Sequence, residues 1–361
     1  MFYYLYLLYP LGEKYRFFKL FNVFQYVTFR TIMAVITALV ISFIIGPRII
    51  AYLKAKKIGQ YIREVGPKTH YGKSGTPTMG GIIMLISVAI STLLWAQLES
   101  PFIWICMTAM LGFGFIGFLD DYLKLIKKNS AGLAAHFKML GQFTVGLGIA
   151  LWLFFLIPST FYIPFYAEPL FSLGIFFVPF ALLVLVSSSN AVNLTDGLDG
   201  LAIGLSLLVI GTFAIFAYLT GHKGIADYLK IPFVVGASEV SVFLGAFAGA
   251  GLGFLWYNAH PAQVFMGDTG SLSIGGTLGT VAIMLKKEML LLIVGGIFVV
   301  EALSVIIQVV IFKRTGKRIF KMAPLHHHFE LSGWAESKII IRFWIIGIIL
   351  SLFGIATLKL Q

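Results

Sequence analysis

Residues 101–122 read PFIWICMTAMLGFGFIGFLDDY, an apolar run that carries no charge as far as Leu119 and then ends in two aspartates. A helix needs roughly 20 predominantly apolar residues to cross the hydrocarbon core of a bilayer. The stretch therefore predicts a membrane-spanning helix with charged chemistry at one end.

The composition extends this prediction to the whole chain. Of its 361 residues, 59% are hydrophobic and 12% are charged, whereas soluble folds are about 45–50% apolar and about 25% charged. These values exclude a water-soluble globule or a nucleic-acid-binding domain, despite the net charge of +12. The single cysteine, Cys106, leaves no internal disulfide and no paired-thiol metal site.

The apolar runs predict an all-α integral membrane protein with about ten transmembrane helices, forming a single polytopic domain over residues 1–361. Residues 1–21 are aromatic and lack a basic leader with a cleavage site, so they predict an interfacial segment before a core at 22–361. The predicted spans are 27–46, 78–97, 101–119, 138–157, 172–189, 200–220, 238–257, 271–285, 289–312 and 339–358.

The distribution of Lys and Arg predicts the orientation, because short cytoplasmic loops hold the excess. Sixteen of these residues lie in one alternate set of loops, and four lie in the other set. The first set is therefore predicted to be cytoplasmic, with both termini outside, in the periplasm. Five of the six aspartates also fall on the inner side, Asp227 being the exception. We expect an active-site cleft on this cytoplasmic face. The five loops of the first set are 47–77, 120–137, 190–199, 258–270 and 313–338, and all sixteen Lys and Arg residues lie in the first, second and fifth of them.

The first candidate motif is 117-GFLDDY-122, which is followed by three lysines. Adjacent carboxylates repel each other and usually need a cation or a shared proton. A solvated helix end with a positive-inside flank is the alternative interpretation, and the pair alone does not decide between them.

The second motif, 190-NAVNLTDGLDG-200, concentrates polar residues at membrane depth, where each unpartnered group costs several kcal/mol. Asn190, Asn193, Asp196 and Asp199 recur every three residues and would line one face of a helical path. A turn capped by Asp199 needs only one or two such groups. The excess favours a hydrophilic ligand.

Two further motifs, 261-PAQVFMGDTGS-271 and 73-KSGTPTMGG-81, fit the starts of helices when each is taken alone. Their glycines also allow tight turns near an anion or a metal. The last motif, 323-APLHHHFE-330, follows a basic stretch that is either a topology determinant or an anion-binding segment. Three successive histidines cannot all face one centre, so we expect donors to a phosphate or carboxylated substrate in place of a structural metal.

Carboxylates, lysines, histidines and glycine turns on one membrane face are best suited to Mg²⁺-assisted phosphoryl transfer. Together these motifs resemble the bacterial phospho-N-acetylmuramoyl-pentapeptide-transferase family, in the polyprenyl-phosphate N-acetylhexosamine-1-phosphate transferase superfamily. The match runs from about Phe21 to the C-terminus. The triple-His motif separates this branch from the N-acetylglucosamine branch.

The resemblance implies transfer of phospho-MurNAc-pentapeptide from UDP-MurNAc-pentapeptide to undecaprenyl phosphate, giving lipid I and UMP. It also implies an Mg²⁺ requirement, a homodimer surrounded by membrane lipids, and a location in the bacterial cytoplasmic membrane. Direct attack by the lipid phosphate is expected, and a two-step route through an aspartyl-phosphate stays open.

By the same resemblance, Asp120, Asp121 and Asp268 would be catalytic. Asp268 would bind Mg²⁺, with Asp120 and Asp121 as further candidate ligands, and Asp120 would deprotonate the lipid phosphate. The uridine pocket would be formed by Lys73, Gly197, Leu198, Asp199 and Phe265. Contacts to the sugar, phosphate or peptide would come from Thr78, Asn190, Asn193, Asp196, Gln308, His326 and His327. Lys124 and Lys138 would lie near phosphates.

Two other functions fit parts of the sequence. A polyprenyl-phosphate N-acetylglucosamine-1-phosphate transferase would share the aspartate motifs. A secondary transporter would explain ten spans and Glu301, a carboxylate well inside the ninth span. Transporters place their sites near the bilayer midplane, whereas these aspartates lie at the cytoplasmic rim, so the arrangement favours an enzyme.

Overall fold

The computed structural model describes residues 1–13, 16–56, 75–127 and 132–359. Nearly all of this part of the chain is helical, with one two-stranded β-ribbon, β1 (Thr160–Phe161) and β2 (Phe171–Ser172). The α-helices are α1 (Val27–Ala55), α2 (Gly81–Trp95), α3 (Pro101–Lys127), α4 (Ala135–Leu156), α5 (Phe177–Thr195), α6 (Leu201–Thr220), α7 (Lys223–Leu229), α8 (Ser238–Asn258), α9 (Gly267–Met284), α10 (Glu288–Val294), α11 (Gly296–Thr315), α12 (Leu325–Glu330) and α13 (Glu336–Ala356).

Eight helices in the described part are long and apolar enough to cross a membrane, as an all-α membrane protein requires. Two other predicted spans correspond to α2, which has 15 residues, and to α9, which is rich in Gly, Ser and Thr. The total of ten spans stays a prediction. The eight helices that are long and apolar enough to cross a membrane are α1, α3, α4, α5, α6, α8, α11 and α13.

Helix α9 lies at the centre of the bundle. Every residue from Thr269 to Met284 is buried, mainly against α3 and α5. Small residues allow this close packing: a Cβ at Gly275 would collide with the backbone of Ser188, and one at Gly276 would collide with the ring of Phe113. These glycines therefore allow close packing of the helices.

Helix α5 differs from the predicted span at 172–189 at both ends. Its start is later because residues 171–172 pair with residues 160–161 in the β-ribbon. Its end is later because the polar residues expected in a loop continue the helix to Thr195. The span predicted at 289–312 is also interrupted, since α10 ends at Val294 and α11 begins at Gly296.

Before α1 lie two 3-10 helices, Phe2–Glu13 and Arg16–Gln25, which contact α1 and α2. The ring of Phe2 lies 4.8 Å from that of Trp95. Beneath them, Arg30 of α1 is 1% exposed and forms two hydrogen bonds, of 2.5 and 2.7 Å, with the Glu239 carboxylate of α8. This buried ion pair ties α1 to α8.

Candidate active site

The aspartate pair on α3 is brought against the start of α9. Asp120 and Asp121 are 3% and 2% exposed, so neither carboxylate lies at a solvent-exposed helix end. Gly117, one turn earlier, allows the approach: a Cβ at this position would overlap the carbonyl of Asp268. The glycine therefore sets the separation between the aspartate pair and Asp268.

Asp120, Asp121 and Asp268 form what we call the acidic cluster, in which one carboxylate oxygen from each residue lies within 4.8 Å of the others. The Lys124 ammonium is 2.5 Å from Asp120, 3.6 Å from Asp121 and 3.0 Å from Asp268. Lys138 of α4 lies 2.7 Å from the same Asp268 oxygen as Lys124. Three negative charges and two positive charges leave these five groups with a net charge of −1.

Asp121 also caps α9. Its carboxylate accepts hydrogen bonds from the backbone N–H of Asp268 at 3.2 Å and of Thr269 at 3.0 Å, and from the Thr269 hydroxyl at 2.8 Å. A negative charge at a helix N-terminus is stabilised by the free N–H groups and the helix dipole. The cap of α9 is therefore supplied by a side chain of α3.

The two asparagines of α5 lie one turn apart and point into the same region. Asn193 donates to Asp268 Oδ1 and to the Ser271 hydroxyl, both at 2.8 Å. Asn190 donates to Gln142 Oε1 of α4 at 2.7 Å. These polar groups therefore have partners. Of the four residues expected on one helical face, Asn190 and Asn193 lie on α5, whereas Asp196 and Asp199 follow the end of the helix at Thr195.

Asp196 follows the end of α5 and is half-buried. Burial raises the pKa of its carboxyl well above the usual value, and the negative charges of Asp268 and Asp121 raise it further. Its carboxyl thus belongs to the electrostatic environment of the acidic cluster.

The two glycine-containing motifs pack against each other. Phe265 donates its backbone N–H to Pro77 at 2.8 Å, and Gly80 donates to the Phe265 carbonyl at 2.8 Å. Thr78 lies beside Gly267, whose φ of +74° favours glycine. Thr78 and Phe265 are both half-buried next to the acidic cluster. Lys73 lies outside the described residues.

A second polar group surrounds Asp199, which is buried. Its carboxylate accepts from the backbone N–H of Ala262 and lies near His260 Nδ1, both at 3.1 Å. Its backbone N–H donates to Glu336 at 3.0 Å. Leu198 is also buried beside it. Asp199, His260 and Glu336 offer ligand atoms close enough for a metal, but their bonds to backbone groups show that they fix the turn.

The three histidines of α12 point in different directions, as expected from their succession. His326 is fully buried beside Glu301, and its ring lies against Gly197. His327 Nδ1 lies 2.7 Å from Glu330. His328 accepts the backbone N–H of Lys321 at 3.1 Å.

The hydrogen bonds of Gln308 go to the loop at residues 319–320 and not to the acidic cluster. Its side-chain carbonyl accepts the N–H groups of Ile319 and Phe320, each at 3.1 Å, and its amide donates to the Phe320 carbonyl at 3.2 Å. In this structure the residue therefore holds the 319–320 loop against α11.

The structure brings six of the seventeen sequence-predicted site residues into direct contact and adds partners that sequence reasoning missed. Gln142 was detectable as a polar residue inside the apolar span at 138–157. His260 and Glu336 carried no signal, because each becomes a partner of Asp199 only through tertiary packing. Six predicted residues meet directly at the cluster: Asp120, Asp121, Lys124, Lys138, Asn193 and Asp268.

The acidic cluster can hold a metal ion. Carboxylate oxygens are the ligands that hard divalent cations prefer, and the charge of −1 left after pairing with Lys124 and Lys138 favours a cation. The donor set thus fits the group implied by the family resemblance.

Comparison with known proteins identifies the family. The model of glycosyl transferase family 4 matches residues 103–286, and phospho-N-acetylmuramoyl-pentapeptide-transferase signature 1 matches residues 73–85. The chain is similar to phospho-N-acetylmuramoyl-pentapeptide-transferases of Geobacter sp. (strain M21), at 55% identity over 357 residues, and of Citrifermentans bemidjiense, at 54% over 357 residues. It is 54% identical to that of Desulforapulum autotrophicum over 358 residues. Each alignment covers 98% of this chain and 99% of the relative. The chain therefore belongs to the phospho-N-acetylmuramoyl-pentapeptide-transferase family.

Proposed function

We propose that the protein transfers phospho-MurNAc-pentapeptide from UDP-MurNAc-pentapeptide to undecaprenyl phosphate, forming lipid I and UMP in peptidoglycan synthesis. Near-full-length similarity to transferases of this name supports the activity. The observation that supports the site is the acidic cluster, in which two buried carboxylates, one half-buried carboxylate and two lysines from α3, α4 and α9 converge.

The cluster would hold Mg²⁺, with Asp268 as the main ligand and Asp120 and Asp121 as further ligands. Bound Mg²⁺ would neutralise charge on the diphosphate of the donor. Asn193 supports this role because its amide holds Asp268 Oδ1 and so fixes the carboxylate orientation. Loss of a bond that orients a metal ligand commonly lowers metal affinity or activity by about 10- to 100-fold.

Phosphoryl transfer needs charge neutralisation and positioning more than covalent chemistry by the protein. Asp120 removes the remaining proton of the acceptor phosphate when one is present. An oxygen of that phosphate then forms a bond to the β-phosphorus of the donor, while the bond to the UMP oxygen breaks and UMP leaves with the electron pair. Lys124 and Lys138, already at the cluster, screen the phosphate charges.

The donor occupies the region between the Asp199 turn and the 77–81 segment. Its uridine contacts Lys73, Gly197, Leu198 and Asp199, and Phe265 stacks on the base. The half-buried position of Phe265 beside the cluster supports this role. The sugar, phosphates and peptide contact Thr78, Asn190, Asn193, Asp196, Gln308, His326 and His327.

The chain forms one domain of ten transmembrane helices in the cytoplasmic membrane, with both termini in the periplasm and the cluster facing the cytoplasm. The basic loops support this orientation. The homodimer implied by the family belongs to the same proposal. Cysteine-accessibility labelling of Glu99→Cys and Thr315→Cys, both exposed positions, tests the orientation in intact cells, because only the first should react with an impermeant reagent.

Two alternatives make different predictions. An N-acetylglucosamine-1-phosphate transferase would use UDP-N-acetylglucosamine, but the names of the relatives favour the muramoyl-pentapeptide donor. A transporter would use Glu301 as an intramembrane ion or substrate site, but this carboxylate is beside His326 in the structure.

Release of UMP from UDP-MurNAc-pentapeptide by the purified protein tests the proposal. Release should require both a polyprenyl phosphate and Mg²⁺, and UDP-N-acetylglucosamine should not replace the donor. Release without acceptor, or none with all components, would contradict it. Exchange of labelled UMP into the donor without acceptor would replace direct attack by the two-step route.

A further inference from the structure

Glu301 of α11 is a buried carboxylate with no role in the transfer described above. It is 1% exposed. Its Oε1 accepts the backbone N–H of His326 at 3.1 Å, in the first turn of α12, and its Oε2 lies 3.2 Å from His326 Nδ1. One carboxylate therefore holds both the backbone and the ring of the same residue.

The opposite edge of the His326 ring faces the substrate motif. The ring is fully buried, and its Nε2 lies so close to Gly197 that a Cβ there would overlap it. Among the described residues, both ring nitrogens and Glu301 Oε2 lack a well-aligned hydrogen bond. Burying polar groups without hydrogen bonds costs free energy, so packing alone does not explain this arrangement.

The charge of Glu301 determines which nitrogen of His326 carries the proton. A carboxylate beside Nδ1 favours a proton on that nitrogen. In the neutral ring, Nε2 then presents only a lone pair to Gly197, and the turn can lie directly against it. A proton on Nε2 would instead point into the backbone of the turn.

We propose that Glu301 is a positioning residue, which acts through His326 to hold the turn at residues 196–199 in the geometry that binds the donor nucleotide. The inference rests on the proposed function, in which Gly197, Leu198 and Asp199 form the uridine pocket. It assigns Glu301 to donor binding and not to the acceptor or to ion transport.

Glu301→Gln removes the charge of the side chain and keeps its shape. The glutamine carbonyl can still accept the His326 backbone N–H, while its amide becomes a donor next to Nδ1. The ring proton should therefore move to Nε2 and push against Gly197. Ser304→Ala is the matched control, because Ser304 is also buried on α11, one turn away, and bonds only to the Glu301 carbonyl.

Steady-state kinetics of UMP release then separates positioning from a general structural role. In Glu301→Gln the KM for UDP-MurNAc-pentapeptide should rise about tenfold, toward the lower end for leaving a buried polar group without a suitable partner, while the KM for polyprenyl phosphate changes less than about twofold. Ser304→Ala should keep both KM values. Equal changes in both KM values, or a loss of kcat alone, would overturn the proposal.

A ¹⁵N spectrum of histidine-labelled protein gives a second readout, with the His326 signals identified by their loss in His326→Gln. The proton should lie on Nδ1 in the unmodified protein and on Nε2 in Glu301→Gln, and an unchanged position would overturn the proposal. If Glu301→Gln does not fold, Glu301→Asp should retain Nδ1 protonation with an intermediate donor KM. Absence of UMP release from the unmodified protein would refute the proposed function, while the spectra would still test the Glu301–His326 link.

Discussion

Replacing Gly117 by alanine tests whether the spacing of the acidic cluster controls catalysis. Gly117 lies on the face of α3 that contacts the first turn of α9, one turn before Asp120. A Cβ there would overlap the carbonyl of Asp268 and approach the N–H of Thr269. These are backbone atoms, so a rotating side chain cannot relieve the collision.

The size of the effect follows from this geometry. Ordinary contacts to a Cβ begin at 3.4 Å, and the overlap is deep enough that α3 and α9 must separate by on the order of 1 Å, a displacement that can cost roughly 100-fold in rate. Overpacking of this kind typically costs about 1–3 kcal/mol in stability. We therefore expect Gly117→Ala to fold but to lose about 99% of its kcat.

UMP release with saturating substrates measures the effect, and thermal unfolding in detergent reports the fold. Gly148→Ala and Gly211→Ala are the matched controls, because a Cβ at either position meets nothing within 4 Å. Both controls should retain full activity. A folded Gly117→Ala protein with unchanged kcat would refute the claim that the aspartate pair must lie at this distance from Asp268.

Of two other substitutions, one should lower activity and the other should lower stability. Lys138→Met removes one of the two ammonium groups at the acidic cluster and should lower kcat/KM for the donor by about 10- to 100-fold, with little loss of stability. Exposed Lys54→Met is its control, and an equal loss in both would refute a specific role. Arg30→Met leaves Glu239 buried without its partner, so it should lower the free energy of unfolding by about 3–5 kcal/mol. Exposed Arg48→Met, on the same helix, should not, and equal thermal unfolding of both variants would contradict this assignment.

Much of the architecture could be predicted because a bilayer constrains it strongly. A span must be apolar over roughly 20 residues, and α4, α6, α8 and α13 follow their predicted spans closely, whereas α3 continues to Lys127, past its predicted end at residue 119. Prediction of spans from apolar runs fails for a helix that is surrounded by other helices and not by lipid. Helix α9 is entirely enclosed by other helices and can therefore be rich in Gly, Ser and Thr.

The site was predictable in composition but not in its bonding. The spacing of Asn190 and Asn193 indicated a shared face, and the aspartates indicated a common location. The cap of α9 by Asp121 depends on the packing of two helices that are distant in sequence. The burial of His326 against Glu301 is likewise a tertiary feature, which the sequence does not indicate.

The most direct test of the acidic cluster as a catalytic metal site is the Mg²⁺ dependence of UMP release by Asp268→Asn. Asparagine keeps the size of the side chain but removes the charge that faces Lys124 and Lys138. The variant should remain folded in detergent and show no Mg²⁺-stimulated release at any Mg²⁺ concentration that saturates the unmodified protein. Near-normal release with an unchanged Mg²⁺ response would contradict the assignment of Asp268 as the metal ligand.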